Sequence, residues 1–266
     1  MSKITLFGAG RMGSALAAGW LSAKPSSEVT LIEPHPSERV QNWASEGLIR
    51  LNPLPEHASH LVVAIKPQVF PEFSGDLQAF IGPETEILSV MAGVSLATLE
   101  ARLNTPKVAR AMPNTPGMIG KGVTLLCTKA DTSATMVSTW RSLLEPLGTV
   151  EGPLDESLLP AATAVSGCGP AYGFLLVELM AQAGIASGLP SDLAQRLARK
   201  TVEGAGALLA ASEESAATLR QNVTSPNGVT QAALEVLMAD EATPAQFRAA
   251  IKAAIARDKA LAEETA

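Results

Sequence analysis

The chain has 266 residues, 47% of them hydrophobic, and a formal net charge of −6 from 20 basic and 26 acidic side chains. That is enough apolar material for a large core, and the length suggests about two domains. Charged residues make up only 17% of the chain and no basic cluster stands out, which argues against a nucleic-acid partner.

Lys3-Ile4-Thr5-Leu6-Phe7 reads as a short buried strand, and Ser14 to Trp20 as the first helix. Between them lies Gly8-Ala9-Gly10-Arg11-Met12-Gly13. Strand, Gly-x-Gly-x-x-Gly and helix in that order form a dinucleotide-binding fingerprint. Gly8 allows the tight turn, Gly10 lets backbone approach a pyrophosphate, and Gly13 lets helix and strand pack closely. The free N–H groups and dipole at the helix start favour the phosphate charge. Glu28 to Glu33 is a second strand ending in an acid, and Glu33 lies where such folds set a carboxylate against the ribose hydroxyls. A carboxylate there would repel a 2′-phosphate, whereas the nearby His35, Ser37 and Arg39 could cradle one. The preference between NADH and NADPH stays open at this point. Pro34-His35-Pro36-Ser37 breaks the strand and opens the next helix.

The next runs are His60 to Ile65, Glu86 to Met91, Lys107 to Met112 and Gly122 to Cys127, nearly all apolar, as strands covered on both faces should be. The first stops at Lys66-Pro67, the second at Ala92-Gly93, and the third at Pro113-Asn114-Thr115-Pro116. Strand ends of this kind are where open α/β sheets bind ligands. Helical patterns at Ser95 to Arg102 and Thr132 to Leu144 alternate with them. The fold class expected for residues 1–152 is therefore α/β, a Rossmann-like, doubly wound parallel sheet.

Gly152-Pro153 reads as a domain boundary, with no strand pattern beyond it. Residues 153–266 read as an all-helical second domain, with Ala- and Leu-rich stretches at Pro170 to Ala186, Ser191 to Ala211, Val229 to Met238 and Pro244 to Ala262. Several are apolar on more than one face, for example Ala171 to Val177, and helices apolar all round are buried ones. About 110 residues cannot easily bury them alone, so partner subunits are expected to cover some.

The chemistry offers few titratable candidates. Histidine occurs only at 35, 57 and 60; His57 and His60 could share a helix face, but no third ligand stands near, so no metal is expected. The helical domain has no histidine, and Lys200, Lys252 and Lys259 lie in helix bodies. Cys127 and Cys168 are far apart and outside any metal-spaced pair. The chain runs straight into a strand without a signal-peptide pattern, and no apolar run reaches the ~18 residues that span a bilayer, so a soluble cytoplasmic protein with no membrane partner is expected. Two segments look unlike plain helix. Ser166-Gly167-Cys168-Gly169-Pro170-Ala171-Tyr172 reads either as a sharp interhelical turn or as a functional element. Val223-Thr224-Ser225-Pro226-Asn227-Gly228-Val229-Thr230 opens a helix whose free N–H groups suit a small carboxylate, or is an ordinary capped helix start.

Taken together, the glycine turn, Ala64-Ile65-Lys66-Pro67, Arg110-Ala111-Met112-Pro113-Asn114-Thr115-Pro116, Ser166 to Tyr172, and Ser225 to Thr230 followed by Gln231-Ala232-Ala233-Leu234 resemble the pyrroline-5-carboxylate reductase family. The resemblance covers nearly the whole chain. It implies that the first domain holds NADH or NADPH, that the helical domain forms a homodimer with higher assembly left open, and that the substrate site lies at the dimer interface. Carried over by resemblance, the coenzyme contacts are Gly8, Ala9, Gly10, Arg11, Met12, Gly13, Glu33, Asn52, Ala64, Ile65, Lys66, Pro67, Val90, Met91 and Ala92. The substrate contacts are Val223, Ser225, Gly228, Val229 and Thr230. Arg11 stands where Asn is usual in that family, Cys168 where Ser is usual, Asn227 in place of a glycine, and Glu33 in place of a small or polar residue.

The implied reaction is hydride transfer from NAD(P)H to the imine of 1-pyrroline-5-carboxylate, giving L-proline. A protonated cyclic imine is already a strong hydride acceptor, so the protein mainly has to position two reactants, which fits the missing histidine. Thr230 is the expected catalytic group, hydrogen-bonding the ring nitrogen, while N–H groups near Ser225 to Val229 hold the carboxylate. The rivals are a β-hydroxyacid dehydrogenase-like enzyme, disfavoured because Pro170 to Ala186 contains no lysine, and a non-enzymatic dinucleotide sensor.

Overall fold

The computed structural model describes residues 3–23 and 28–264. Within them one eight-stranded sheet is formed by β1 (Lys3–Phe7), β2 (Glu28–Ile32), β3 (Arg50–Leu51), β4 (His60–Val63), β5 (Glu86–Ser89), β6 (Val108–Met112), β7 (Gly122–Cys127) and β8 (Gly148–Leu154). The spatial order is β3-β2-β1-β4-β5-β6-β7-β8, so the winding reverses between β1 and β4. That reversal leaves a crevice at the carboxyl ends of the strands. The register sharpens it. Phe7 stands level with both Ile32 and Val63, and Val63 with Ser89. Four strands thus end in one row, and the chain leaves all four on the same edge.

The sheet is covered on both faces. Toward one side, Leu6, Leu31, Val62, Leu88 and Ala109 meet Leu16, Ala17 and Trp20 of helix α1 (Arg11–Ala23). With them pack Trp140, Leu143 and Leu144 of a helix over Ala134–Leu144. Toward the other, Phe7, Leu61, Val63, Ile87 and Val108 meet Phe70 and Leu77 of a helix over Phe70–Gln78. Leu99 and Leu103 of the helix Leu96–Leu103 complete that side. Period-two alternation sends neighbouring residues of a strand to opposite sides, so both must be apolar. This is why the strands read as continuous hydrophobic runs; each such side chain contributes about 1.5–3 kcal/mol on full burial. Ser95 and Ser133 cap their helices, accepting from the N–H groups of Thr98 at 3.0 Å and Met136 at 3.3 Å.

Two sequence expectations need correction here. The sheet is not wholly parallel: β7 runs antiparallel to β6, with Arg110 opposite Cys127, and β8 lies parallel to β7. Only Pro113 to Lys121 separate β6 from β7, and five of these form a short 3-10 turn. A parallel return needs a crossover of a dozen or more residues, so the chain doubles back instead. Second, Gly152-Pro153 lies inside β8 rather than ahead of a strand-free region. Gly148, Gly152 and Pro153 disguise this strand, but it is the sheet's last, where proline is tolerated.

The chain divides into two compact units, one ending at Gly167 and including the segment from Ala254 onward, the other spanning Cys168–Ala253. A helix over Leu159–Ser166 belongs to the first, its Leu159 packing with Met112, Leu125 and Cys127. The second unit is helical. It contains α7 (Gly169–Ala186), α8 (Ser191–Ala211), α9 (Ala216–Asn222) and α10 (Val229–Leu237), and a further helix, Thr243–Glu264, begins in it. For this numbering α2 is Glu38–Ser45, α3 to α6 are the helices Phe70–Gln78, Leu96–Leu103, Ala134–Leu144 and Leu159–Ser166, and α11 is Thr243–Glu264.

Segment Ser166 to Tyr172 makes no sharp turn. Gly167 and Cys168 keep right-handed helical dihedrals, and Pro170 falls in the first turn of α7, where its missing N–H costs nothing. The helical run Glu156–Ala186 is, by length and composition, apolar enough to cross a membrane, contrary to the sequence expectation that no run is. The second unit has almost no core of its own: Ala181, Ala194 and Ala198 are its buried apolar residues. Phe174 is 65% exposed, and Leu175, Leu176, Leu179, Leu197, Leu208 and Leu209 are also open. So many exposed large side chains mark an interaction surface.

Candidate functional site

The glycine turn shows why each glycine is needed. Gly8 has φ +96°, and a β-carbon on it would lie 2.8 Å from the Ala64 carbonyl oxygen. A β-carbon on Gly13 would lie 2.2 Å from the Gly8 carbonyl oxygen, so α1 can approach β1 only without one. Around Gly10 the same position meets nothing within 4 Å, and the residue is exposed. That open side is the approach a pyrophosphate requires. The Ser14 hydroxyl donates to the Ala9 carbonyl at 2.7 Å and the Ser14 N–H to Gly10 at 2.8 Å, stiffening the turn. Sequence reasoning missed this role of Ser14, although its place directly after Gly13 was the available signal. Arg11 is exposed at the start of α1 and Met12 half-buried against the core.

Glu33 follows β2 on the same edge. Its carboxylate accepts from the Ala9 N–H at 2.8 Å and from the His35 N–H at 3.0 Å. Asn52, just beyond β3 with φ +46°, holds Glu33 by the backbone. Its amide oxygen accepts from the Glu33 N–H at 2.8 Å and its amide nitrogen donates to the Glu33 carbonyl at 2.9 Å. Asn readily adopts this left-handed conformation. Beside this clamp is an open cleft of about 370 Å³ with apolar walls from Phe7, Ile32, Pro34 and Phe73. Arg39, on α2, lies with its guanidinium 4.8 Å from the Trp43 ring centre.

The remaining strand-end residues fall in the same row. The Ala64 N–H donates to Phe7 at 2.8 Å and the Val90 N–H to Val63 at 2.9 Å, continuing the ladder one residue past β4 and β5. Ala64 and Ile65 are half-buried, on opposite sides of the sheet. Lys66 and Ala92 are exposed, Met91 is buried, and Pro67 opens a short 3-10 turn. All fifteen coenzyme candidates therefore sit on the turn after β1, in the first turn of α1, or on the segments leaving β2, β3, β4 and β5.

The Met-Pro-Asn-Thr-Pro motif is structural in part. Asn114, 9% exposed, accepts from the Val123 N–H and donates to the Ser166 carbonyl, both at 2.9 Å. Nearby, Arg110 is paired with Glu156, which also accepts from the Leu96 N–H at 2.9 Å. Sequence reasoning gave Glu156 no part. Burial pushes the Cys127 thiol up to about 11, against a smaller opposing pull from Arg110. His60 begins β4 and lies 3.4 Å from Glu86, while His57 sits in the preceding loop, so the two share no helix face. Among the described residues no group of three or more metal-ligating side chains gathers.

In the second unit, Gly228 is the N-cap of α10. Asn227 is left-handed at φ +55°, its N–H donates to the Gln231 side chain at 2.7 Å, and the Gly228 N–H donates to Ser225 at 3.0 Å. A β-carbon on Gly228 would lie 2.3 Å from the Ser225 hydroxyl oxygen. This tight loop leaves Val223, Ser225, Val229 and Thr230 exposed, Val229 by 91%. No side chain caps α10, so its first N–H groups are left to a ligand or water. On α7, Tyr172 packs edge-on against Phe247 at 5.9 Å; burial, and then the Cys168 thiol beside it, push its phenol upward.

A doubly wound sheet with this turn, and with the acid after β2, is the nucleotide-binding half of an oxidoreductase; the helical unit is the appended half. Residues 3–93 match the family described as NADP oxidoreductase, coenzyme F420-dependent, and residues 156–261 match pyrroline-5-carboxylate reductase dimerisation. A pyrroline-5-carboxylate reductase of Pseudomonas aeruginosa is 35% identical over 98% of this chain and 97% of its own. Among solved structures, a pyrroline-5-carboxylate reductase of Coxiella burnetii superposes with a TM-score of 0.88 at 28% identity, covering 98% of both chains. The Streptococcus pyogenes 1-pyrroline-5-carboxylate reductase gives 0.79 at 27% identity, over 97% of this chain and 98% of that one. The chain belongs to the pyrroline-5-carboxylate reductase family.

Proposed function

We infer that this chain reduces 1-pyrroline-5-carboxylate to L-proline with NADH or NADPH. The observation that carries the reading is full-length likeness to reductases of that substrate, joined to a sheet edge on which every coenzyme candidate gathers. The chain fits the coenzyme: Gly10 is open, the first turn of α1 offers N–H groups, Glu33 stands at the end of β2, and the apolar cleft beside it suits a purine ring. When bound, the reduced nicotinamide supplies the hydride.

The substrate brings a carboxylate and a ring nitrogen. The N–H groups at the mouth of α10, shaped by Asn227 and Gly228, hold the carboxylate. Thr230, in the first turn, offers its exposed hydroxyl to the ring nitrogen and orients it. No histidine or lysine is required, because the protonated imine needs positioning rather than activation. Val223, Ser225 and Val229 line the same mouth.

The helical unit joins two copies of the chain, and the substrate site lies at that interface. Support comes from the dimerisation match over residues 156–261 and from the exposed apolar side chains of α7 and α8. The Glu156–Ala186 run belongs to this interface, not to a bilayer, since that match covers it and Glu178 interrupts it. We propose that the enzyme works in the cytoplasm; its net charge of −6 speaks against a nucleic-acid partner.

The test is spectrophotometric: reduced coenzyme should be consumed on adding pyrroline-5-carboxylate, with L-proline formed in equal amount. In Thr230→Ala, kcat/KM should fall roughly ten- to a hundredfold with coenzyme Kd unchanged, since a hydrogen bond to a charged group contributes ~1.5–3 kcal/mol. Turnover within about twofold of the parent would remove Thr230 from the reaction.

A further inference from the structure

We propose that Glu33 makes this enzyme selective for NADH over NADPH. The proposal rests on the coenzyme reading above and goes beyond it, naming the residue and the direction of the choice. A carboxylate after β2 discriminates only if it cannot step aside, and here it is pinned. One oxygen takes the Ala9 N–H and the other the His35 N–H. The Asn52 amide grips the Glu33 backbone on both sides, so the residue cannot swing out as a unit.

A carboxylate has about four acceptor positions. Two are used inside the protein and two remain, the number a ribose diol can fill with its two hydroxyl donors. A 2′-phosphate removes one donor and adds about two negative charges at neutral pH. It would meet Glu33 as an anion facing an anion. Moving Glu33 away would strand the Ala9 N–H in the turn that receives the pyrophosphate.

The groups that follow Glu33 in the chain do little to offset this. Arg39, the nearest arginine in sequence, lies over the Trp43 ring. His35 gives its N–H to Glu33 itself. Ser37 caps α2 by position only, with no side-chain bond. Of the three groups that could cradle a 2′-phosphate, Arg39 is thus stacked on Trp43, Ser37 is uncharged, and His35 commits its backbone N–H to the acid.

The experiment titrates the full-length protein, without substrate, with NADH, NADPH, 5′-AMP and 2′,5′-ADP, following binding by calorimetry. NADH should bind at least about tenfold tighter than NADPH, and 5′-AMP tighter than 2′,5′-ADP. Glu33→Gln keeps the shape and an acceptor oxygen but removes the charge, so it should shift the NADPH-to-NADH Kd ratio about tenfold toward NADPH. Glu33→Ser should shift it further. Equal or tighter binding of NADPH by the parent overturns the proposal. So does a Glu33→Gln protein that weakens both coenzymes equally, because that is the signature of a residue that merely braces the turn. These ratios are read without pyrroline-5-carboxylate, so a failure to reduce that substrate would count against the proposed reaction alone.

Discussion

Two alanine substitutions three residues apart should do opposite things. In Gly13→Ala the new methyl would sit 2.2 Å from the Gly8 carbonyl oxygen, which is backbone and cannot rotate away. Gly8, itself at φ +96°, cannot retreat either, since the Ala64 backbone lies directly beside it. Overpacking of this kind costs about 1–3 kcal/mol or more, while exchanging glycine for alanine in a helix returns up to ~1. The net loss of ~1–2 kcal/mol should lower the Tm of the coenzyme-free protein by about 2–8 °C at this chain length. In Gly10→Ala the methyl meets nothing within 4 Å. Stability should stay within ~0.5 kcal/mol of the parent. Coenzyme Kd should nevertheless rise at least about tenfold, or ~1.4 kcal/mol, because the methyl fills the open side of the turn. Differential scanning fluorimetry and coenzyme titration on the same samples separate the two effects. A Gly10→Ala protein that binds NADH within about twofold of the parent would refute the assignment of that open side to the pyrophosphate.

Other outcomes follow from the same structure. Phe174→Asp puts a charge on the most exposed aromatic of α7; light scattering should show the assembly dissociating at micromolar concentration, with activity lost in step, and an unchanged mass would remove α7 from the interface. Cys127 is fully buried, its thiol pushed up to about 11 from an ordinary 9.0. At neutral pH it should therefore resist a thiol reagent in the native protein and react only on unfolding. The folded chain holds the proton longer than the unfolded one, so this group's contribution of up to ~2–3 kcal/mol is intact below pH 9 and is lost between pH 9 and 11. Denaturant midpoints of the parent and Cys127→Ala across that window should converge as pH rises; parallel curves would contradict the assignment.

The strands of the first unit were legible because each is buried on both faces and therefore nearly all apolar, as in Leu61-Val62-Val63. Their carboxyl ends could be located because Pro67 and Gly93 punctuate them. The direction of β7 was not legible, since a strand's sequence carries no arrow; the nine residues between Met112 and Gly122 held the information, as a connection too short to cross over. β8 was hidden by Gly148, Gly152 and Pro153, residues that normally end strands but are tolerated on an edge. At the site, Glu33 and Asn52 could each be marked from the chain, yet not the amide clamp between them, which joins residues 19 apart through a turn at φ +46°. The helical unit's thin core follows from which side chains it turns outward, Phe174 and Leu197 among them. Alanine-rich helices approach closely at Ala194 and Ala198 but have little bulk to bury there.

The level row of Phe7, Ile32, Val63 and Ser89 has a consequence for how such a chain tolerates change. Loops entering the strands at their amino ends can lengthen or shorten without disturbing the row, because pairing resets the alignment before the chain emerges. A slip of one residue within any of the four would exchange the side chains that its two buried faces receive, and displace its exit by ~3.3 Å. Selection on packing and selection on chemistry therefore act on the same alignment, and drift is confined to the opposite rim.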